Sequence, residues 1–183
     1  MSHVSRAPLS LVAGLAVAAL LAGCATGSEG DADMTTPSTG TQSIEHAHGA
    51  TDVPLDPQRI VVLEPVQLDT AVALDIVPVG AAVASNTDAI PSYLGVDEEI
   101  APTGTVTEPS LEAIAALAPD LILGTEARHA DLYDQLSEIA PTVFQGSQVD
   151  PWQDSVRFVG EVLGHGDEAQ DLLRWLRAVA APL

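Results

Sequence analysis

The chain has 183 residues, with 26 acidic side chains against six basic ones, all arginine, and a formal net charge of −20. A field of that sign disfavours nucleic acid and anionic lipid headgroups, and favours neutral or cationic ligands unless a local arginine overrides it. One cysteine excludes an internal disulfide, and six aromatic residues make each one matter to a ligand argument.

The chain opens with a short polar stretch carrying Arg6, then an apolar run, LSLVAGLAVAALLAG, that ends in small residues before Cys24. This is the order of a secretory signal, and the run is too short for a membrane span of about 20 residues. Residues 1–23 are therefore expected to be a signal peptide. Leu21-Ala22-Gly23-Cys24 resembles the bacterial lipobox. That resemblance implies an acylated Cys24 and a protein held on the extracytoplasmic face of the cell membrane. Residues 24–43 are rich in Gly, Ser, Thr, Pro and Asp, and read as a flexible tether without secondary structure.

SIEHAHGATDVP suggests an edge strand or hairpin. His46-Ala-His48 places two imidazoles on one strand face, but two ligands leave a zinc site incomplete, so no metal site is expected. RIVVLE (59–64) is a continuous β-branched run suited to a strand buried on both faces. VQLDTAVALD has apolar residues at helical spacing, and VPVGAAVA (77–84) reads as a second strand. Residues 85–109 read as a long loop with one short helical turn. SLEAIAALA (110–118) is a helix capped by Ser110, and DLILG (120–124) a third strand. HADLYDQLSEIA is a further helix, with Tyr133 on its core face, and TVFQ a fourth strand. PWQDSVRFVGEVLG opens a helix with Pro151 in the first turn and stops it at Gly164. GDEAQDLLRWLRAVA forms the last helix.

Strands alternating with helices imply a Rossmann-like α/β fold, a parallel sheet flanked by helices. Ligands on such sheets bind beyond the carboxyl ends of the strands, which directs attention to Glu64-Pro65, the segment 124–128 with Glu126 and Arg128, and Gln145-Gly146. Arg128 is the best hydrogen-bond donor there, with pairing to Asp131 the competing role. Trp152, after the fourth strand, could wall a ligand or pack in the core; Tyr93, in the long loop, could wall it or pack the loop. The chain contains no G-x-S-x-G, G-x-x-x-x-G-K, H-E-x-x-H or G-x-G-x-x-G, so an enzyme is not expected.

QRIVVLEPVQLDTAVALDIVPVG, TEPSLEAIAALAPDLILG and LYDQLSEIAPTVFQ, in this order, resemble the iron–siderophore substrate-binding proteins of ABC importers. The resemblance implies two α/β lobes joined by a long helix, with ligand held between them. Residues 44–166 would be the first lobe and 167–183 the start of the connecting helix, so the chain reads as a truncated product or fragment. The implied function is capture of a ferric siderophore and delivery to a permease, by a monomer without a cofactor or resident metal. Haem, cobalamin or metal-ion binding on the same fold, or a nonfunctional remnant, are the alternatives. The candidate ligand-binding residues are Glu64, Pro65, Tyr93, Val106, Glu126, Arg128 and Trp152, and the resemblance implies that Glu64 and Pro65 line the cleft. Val106 stands where some ferric-hydroxamate receptors have an arginine. Glu112, in S-L-E, matches the glutamate that docks a lobe onto the permease; the helix dipole would favour an acid there in any case. The acidic balance leans towards neutral or cationic ferric hydroxamates over anionic catecholates.

Overall fold

The computed structural model describes residues 40–96, 99–146 and 151–180. The signal-like segment, Cys24 and most of the tether lie outside the described residues.

An antiparallel hairpin comes first, β1 (Thr41–His46) and β2 (Gly49–Pro54). Strand β1 begins inside the stretch read as tether, because its pairing with β2 supplies hydrogen bonds that composition alone does not reveal. Gly49 takes a φ of 109° at the turn, a conformation glycine adopts without strain.

Five parallel strands follow: β3 (Ile60–Val62), β4 (Gly80–Val83), β5 (Ala101–Thr105), β6 (Leu121–Thr125) and β7 (Thr142–Gln145), in the order β5-β4-β3-β6-β7. The sequence reading anticipates four of them. Strand β5 is APTGT, whose Pro102 and Gly104 signal a loop, and it survives because it lies at the sheet edge, where a missing N–H is tolerated.

Side chains alternate between the two faces. Ile60, Val62, Ala81, Val83, Leu121, Leu123 and Val143 join one core with α1 (Pro65–Ala73) and α5 (Trp152–Val162). Val61, Leu63, Ala82, Ile122 and Phe144 join the other with α2 (Leu111–Ala116) and α4 (Tyr133–Ser137). This is why the strands read as unbroken apolar runs: both faces are covered. Ser110 caps α2 by accepting the Ala113 N–H at 3.2 Å, as the sequence predicts. Pro151 is the N-cap of α5, one place before the first turn. The last helix, α6 (Gly166–Ala180), packs Ala169 and Leu173 against Leu74 and Val156.

The hairpin lies along edge strand β7. The Ala47 N–H donates to the Phe144 carbonyl at 3.2 Å, while Ile44 and Val53 enter the α5-side core. At its other end, Gly164 (φ 78°) passes so close to Leu55 that a Cβ would meet the Leu55 carbonyl oxygen at 2.5 Å. Among the described residues no helix is long and apolar enough to cross a membrane.

Candidate functional site

Strand β3 sends its connection one way, to β4, and pairs on its other side with β6. The connections leaving the carboxyl ends of β3 and β6 therefore run in opposite directions, the place at which open α/β sheets hold ligands. Glu64, two residues beyond β3, is the N-cap of α1, and Pro65 occupies the first position of that helix, where its missing N–H costs nothing. Thr125 ends β6, and Glu126 and Arg128 follow in a short helix, α3 (Glu126–His129).

These residues meet. Glu64 is buried, accepting from the Thr125 hydroxyl at 2.9 Å and from Arg128 Nη1 at 2.7 Å on each carboxylate oxygen. Arg128 thus pairs with Glu64, 64 positions away, rather than with Asp131. Its side chain is 38% exposed, so the guanidinium is braced from beneath while its outer edge faces solvent. The side chain is thus fixed in place through Nη1, which donates to both Glu64 oxygens.

Two groups beneath the rim escaped the sequence reading. Gln67, fully buried in α1, donates from Nε2 to the Gly124 carbonyl at 2.8 Å and ties α1 to β6. His129, also fully buried, accepts the Thr125 N–H on Nδ1 at 3.1 Å and lies 2.9 Å from the Val106 carbonyl through Nε2. A carbonyl only accepts, so Nε2 carries the proton and the ring is a neutral tautomer. His129 turns inward to make both bonds, and the helix expected across 129–140 is instead a 3-10 turn at Ala130–Leu132 followed by α4, with α3 ending at His129 before them.

The hairpin tip adds a second layer. His48 Nε2 is 2.5 Å from Glu126 Oε2, and the His48 ring stacks on Tyr133 with centroids 4.1 Å apart. His46 accepts the N–H groups of His48 and Phe144 on Nδ1, each at 3.3 Å, and its Nε2 lies 2.8 Å from Thr51 Oγ1. Thr51 Oγ1 donates to the Thr142 carbonyl at 3.2 Å and so accepts from His46, leaving that ring neutral and both its nitrogens engaged. Burial and the neighbouring His48 hold the His46 imidazole below its ordinary titration range, against an opposing pull from Glu126. Among the described residues no group of three or more His, Cys, Asp or Glu side chains is placed to hold a metal ion. Tyr133 packs against the core on the α2 and α4 side, as expected, and its ring also stacks beneath this tip.

The remaining candidates lie elsewhere. Val106 is buried among Leu63, Ile114 and Phe144, so its side chain turns into the core and it leaves the candidate set. Tyr93 is 72% exposed and donates its hydroxyl to Asp69 at 2.8 Å, a bond that raises its pKa. Asp69 in turn lines an apolar groove of about 360 Å³ with Val66, Trp152, Val156, Leu172 and Trp175. Trp152 is half-exposed there, and the groove shares no lining residue with the Glu64–Arg128 rim. Glu112 is exposed in the first turn of α2.

Residues 60–180 match the family profile described as periplasmic binding protein. The "Probable siderophore-binding lipoprotein YfiY" of Bacillus subtilis is 35% identical over 159 residues, covering 86% of this chain and 49% of that protein. The "Fe(3+)-citrate-binding protein YfmC" of the same organism is 33% identical over 177 residues, 94% of this chain and 56% of that one. The crystal structure of Staphylococcus aureus SirA complexed with staphyloferrin B superposes with a TM-score of 0.70 at 37% identity, over 75% of this chain and 47% of that one. The chain spans about half the length of the relatives it matches.

Proposed function

This chain belongs to the periplasmic binding protein family, and on that premise we propose that it is the first-lobe portion of a receptor that captures a ferric siderophore outside the cytoplasm for an ABC importer. The observation that carries the reading is Arg128, braced by Glu64 where the connections leaving β3 and β6 part. A ferric siderophore already wraps its iron in oxygen donors, so the protein's task is to donate hydrogen bonds to those oxygens. No bond is made or broken in this role, and no cofactor takes part.

Within this reading Glu64 is a positioning residue, Arg128 contacts the ligand, and Pro65 and Glu126 border the same rim. Trp152 lines a groove that shares no residue with this rim, Tyr93 bonds to Asp69 of that groove, and neither is assigned to the first contact. Arg128 offers hydrogen bonds to the chelate's oxygens, while Glu64 balances its charge, so the rim does not by itself reverse the bulk field. The names of two relatives, one Fe(3+)-citrate-binding and one complexed with staphyloferrin B, support an iron chelate as ligand. Acylation of Cys24 would keep the protein at the membrane, and Glu112, exposed on α2, would meet the permease.

The test is calorimetric titration of the purified chain with ferric citrate and with a ferric hydroxamate. Saturable binding that weakens about tenfold in Arg128→Gln supports the reading, the loss expected for one charge-assisted contact. Equal binding by the variant, or none by the unaltered chain, refutes it.

A further inference from the structure

We propose that His48 and Glu126 form a proton-dependent charge gate on the rim of the ligand site, admitting anionic ferric chelates more readily when His48 is protonated. The inference rests on the capture reading above, and adds to it a regulatory element carried by a hairpin that lies outside the residues matched by the family profile.

The tip of that hairpin is fixed to the carboxyl end of the sheet. The Ala47 N–H donates to the Phe144 carbonyl, and the Phe144 N–H returns to His46 Nδ1, so backbone and side chain tie β1 to β7 at one point. The His48 N–H donates to the same His46 Nδ1. With its backbone held, the His48 ring lies parallel to Tyr133 at 6°, meets the edge of Phe144 at 81°, and directs Nε2 onto Glu126. Phe144 and Tyr133 are themselves packed edge to face, with centroids 5.1 Å apart. The His48 side chain is 28% exposed and that of Glu126 38%, although the Glu126 oxygen facing His48, Oε2, is buried and makes no hydrogen bond of normal geometry.

The titratable groups facing His48 are His46 on β1, Glu126 on α3 and Tyr133 on α4. His46 is bonded as a neutral tautomer and is held below its ordinary titration range, so it stays uncharged as His48 gains a proton. The rim then has two charge states. Glu64 and Arg128 cancel in both. Glu126 contributes −1 when the His48 ring is neutral, and is cancelled when the ring is an imidazolium. An anionic chelate approaching Arg128 therefore enters the field of an uncompensated carboxylate two positions earlier in α3 in the first state, and of a neutral pair in the second. The change is one elementary charge beside a partly screened ligand, for which binding about fivefold tighter at acid pH is expected.

The two partners make opposite predictions, which separates the gate from a merely structural contact. Ferric citrate is titrated into the 183-residue chain and two variants at about pH 5.5 and about pH 8, the range over which imidazoles commonly exchange their proton. Glu126→Gln removes the opposing charge and is expected to bind as tightly at the higher pH as the unaltered chain does at the lower. His48→Gln keeps a hydrogen-bonding amide at the tip but takes up no proton, and is expected to bind weakly at both. Protonation of citrate itself is common to all three proteins, so the ratio of variant to unaltered affinity at each pH carries the result. Circular dichroism establishes that each variant is folded. Weaker binding by Glu126→Gln, or a His48→Gln profile that follows the unaltered chain, overturns the gate while leaving capture intact. No ferric citrate binding by the unaltered chain at either pH refutes the capture reading, and the gate with it.

Discussion

Replacing His129 with leucine tests whether the rim is held from below. The imidazole is fully buried and satisfies two backbone groups, the Thr125 N–H and the Val106 carbonyl. Leucine is close in size and keeps the apolar contacts with Phe144, so the change isolates the two hydrogen bonds. Each orphaned buried group costs about 1–3 kcal/mol, and together about 3 kcal/mol is expected after partial relaxation. Set against a total stability of about 5–15 kcal/mol for a domain, the loss should lower the urea midpoint by about 1–2 M. Thr125 also donates to Glu64, so disturbing it should loosen Arg128 and weaken chelate binding as well. Urea unfolding followed by circular dichroism measures the first effect, and nitrogen chemical shifts of the ring report the Nε2–H tautomer in the unaltered chain. A loss below about 1 kcal/mol, or an Nδ1–H tautomer, would refute the reasoning.

Gly124→Ala should be destabilising by about 1–3 kcal/mol, because its Cβ would stand 2.8 Å from Phe144 Cε1 and 3.2 Å from His129 Nδ1; thermal unfolding checks it. Ser110→Ala removes the cap on α2 and should cost about 1 kcal/mol, read by the same assay. His46 titrates lower in the folded chain than its ordinary value of 6.5, so its contribution to stability is present above that pH and is lost as pH falls through the depressed folded value. Denaturation midpoints across the acid range should therefore fall in the unaltered chain and fall less in His46→Gln. Glu112→Ala should leave chelate binding unchanged and reduce uptake in cells, since the side chain is exposed on α2; unaltered uptake would contradict a docking role.

The parts of the fold that were legible in the sequence are those governed by local patterning. Unbroken apolar runs marked β3, β4, β6 and β7 because both sheet faces are covered. The cap at Ser110 and the stop at Gly164 follow from side-chain and backbone chemistry within a few residues. What was hidden depends on contacts far apart in the chain. Strand β5 exists because β4 offers it an edge, although its own Pro and Gly argue for a loop. His129 turns inward to a carbonyl 23 positions earlier, which no window around 129–140 contains. Glu64 and Arg128 could each be named from their place at strand ends, but their pairing could not, because strand order decides that β6 lies beside β3. His46 and His48 invited a metal reading by their alternation. Their actual partners, Thr51, Phe144 and Glu126, come from two other strands and a helix start.

The measurement that bears most directly on the central claim is calorimetric titration of ferric citrate into the purified chain beside Arg128→Gln, both verified as folded. The account predicts saturable binding to the unaltered chain and about a tenfold loss in the variant, because the guanidinium braced by Glu64 is the group that meets the chelate. Binding of equal strength in the two proteins would contradict it.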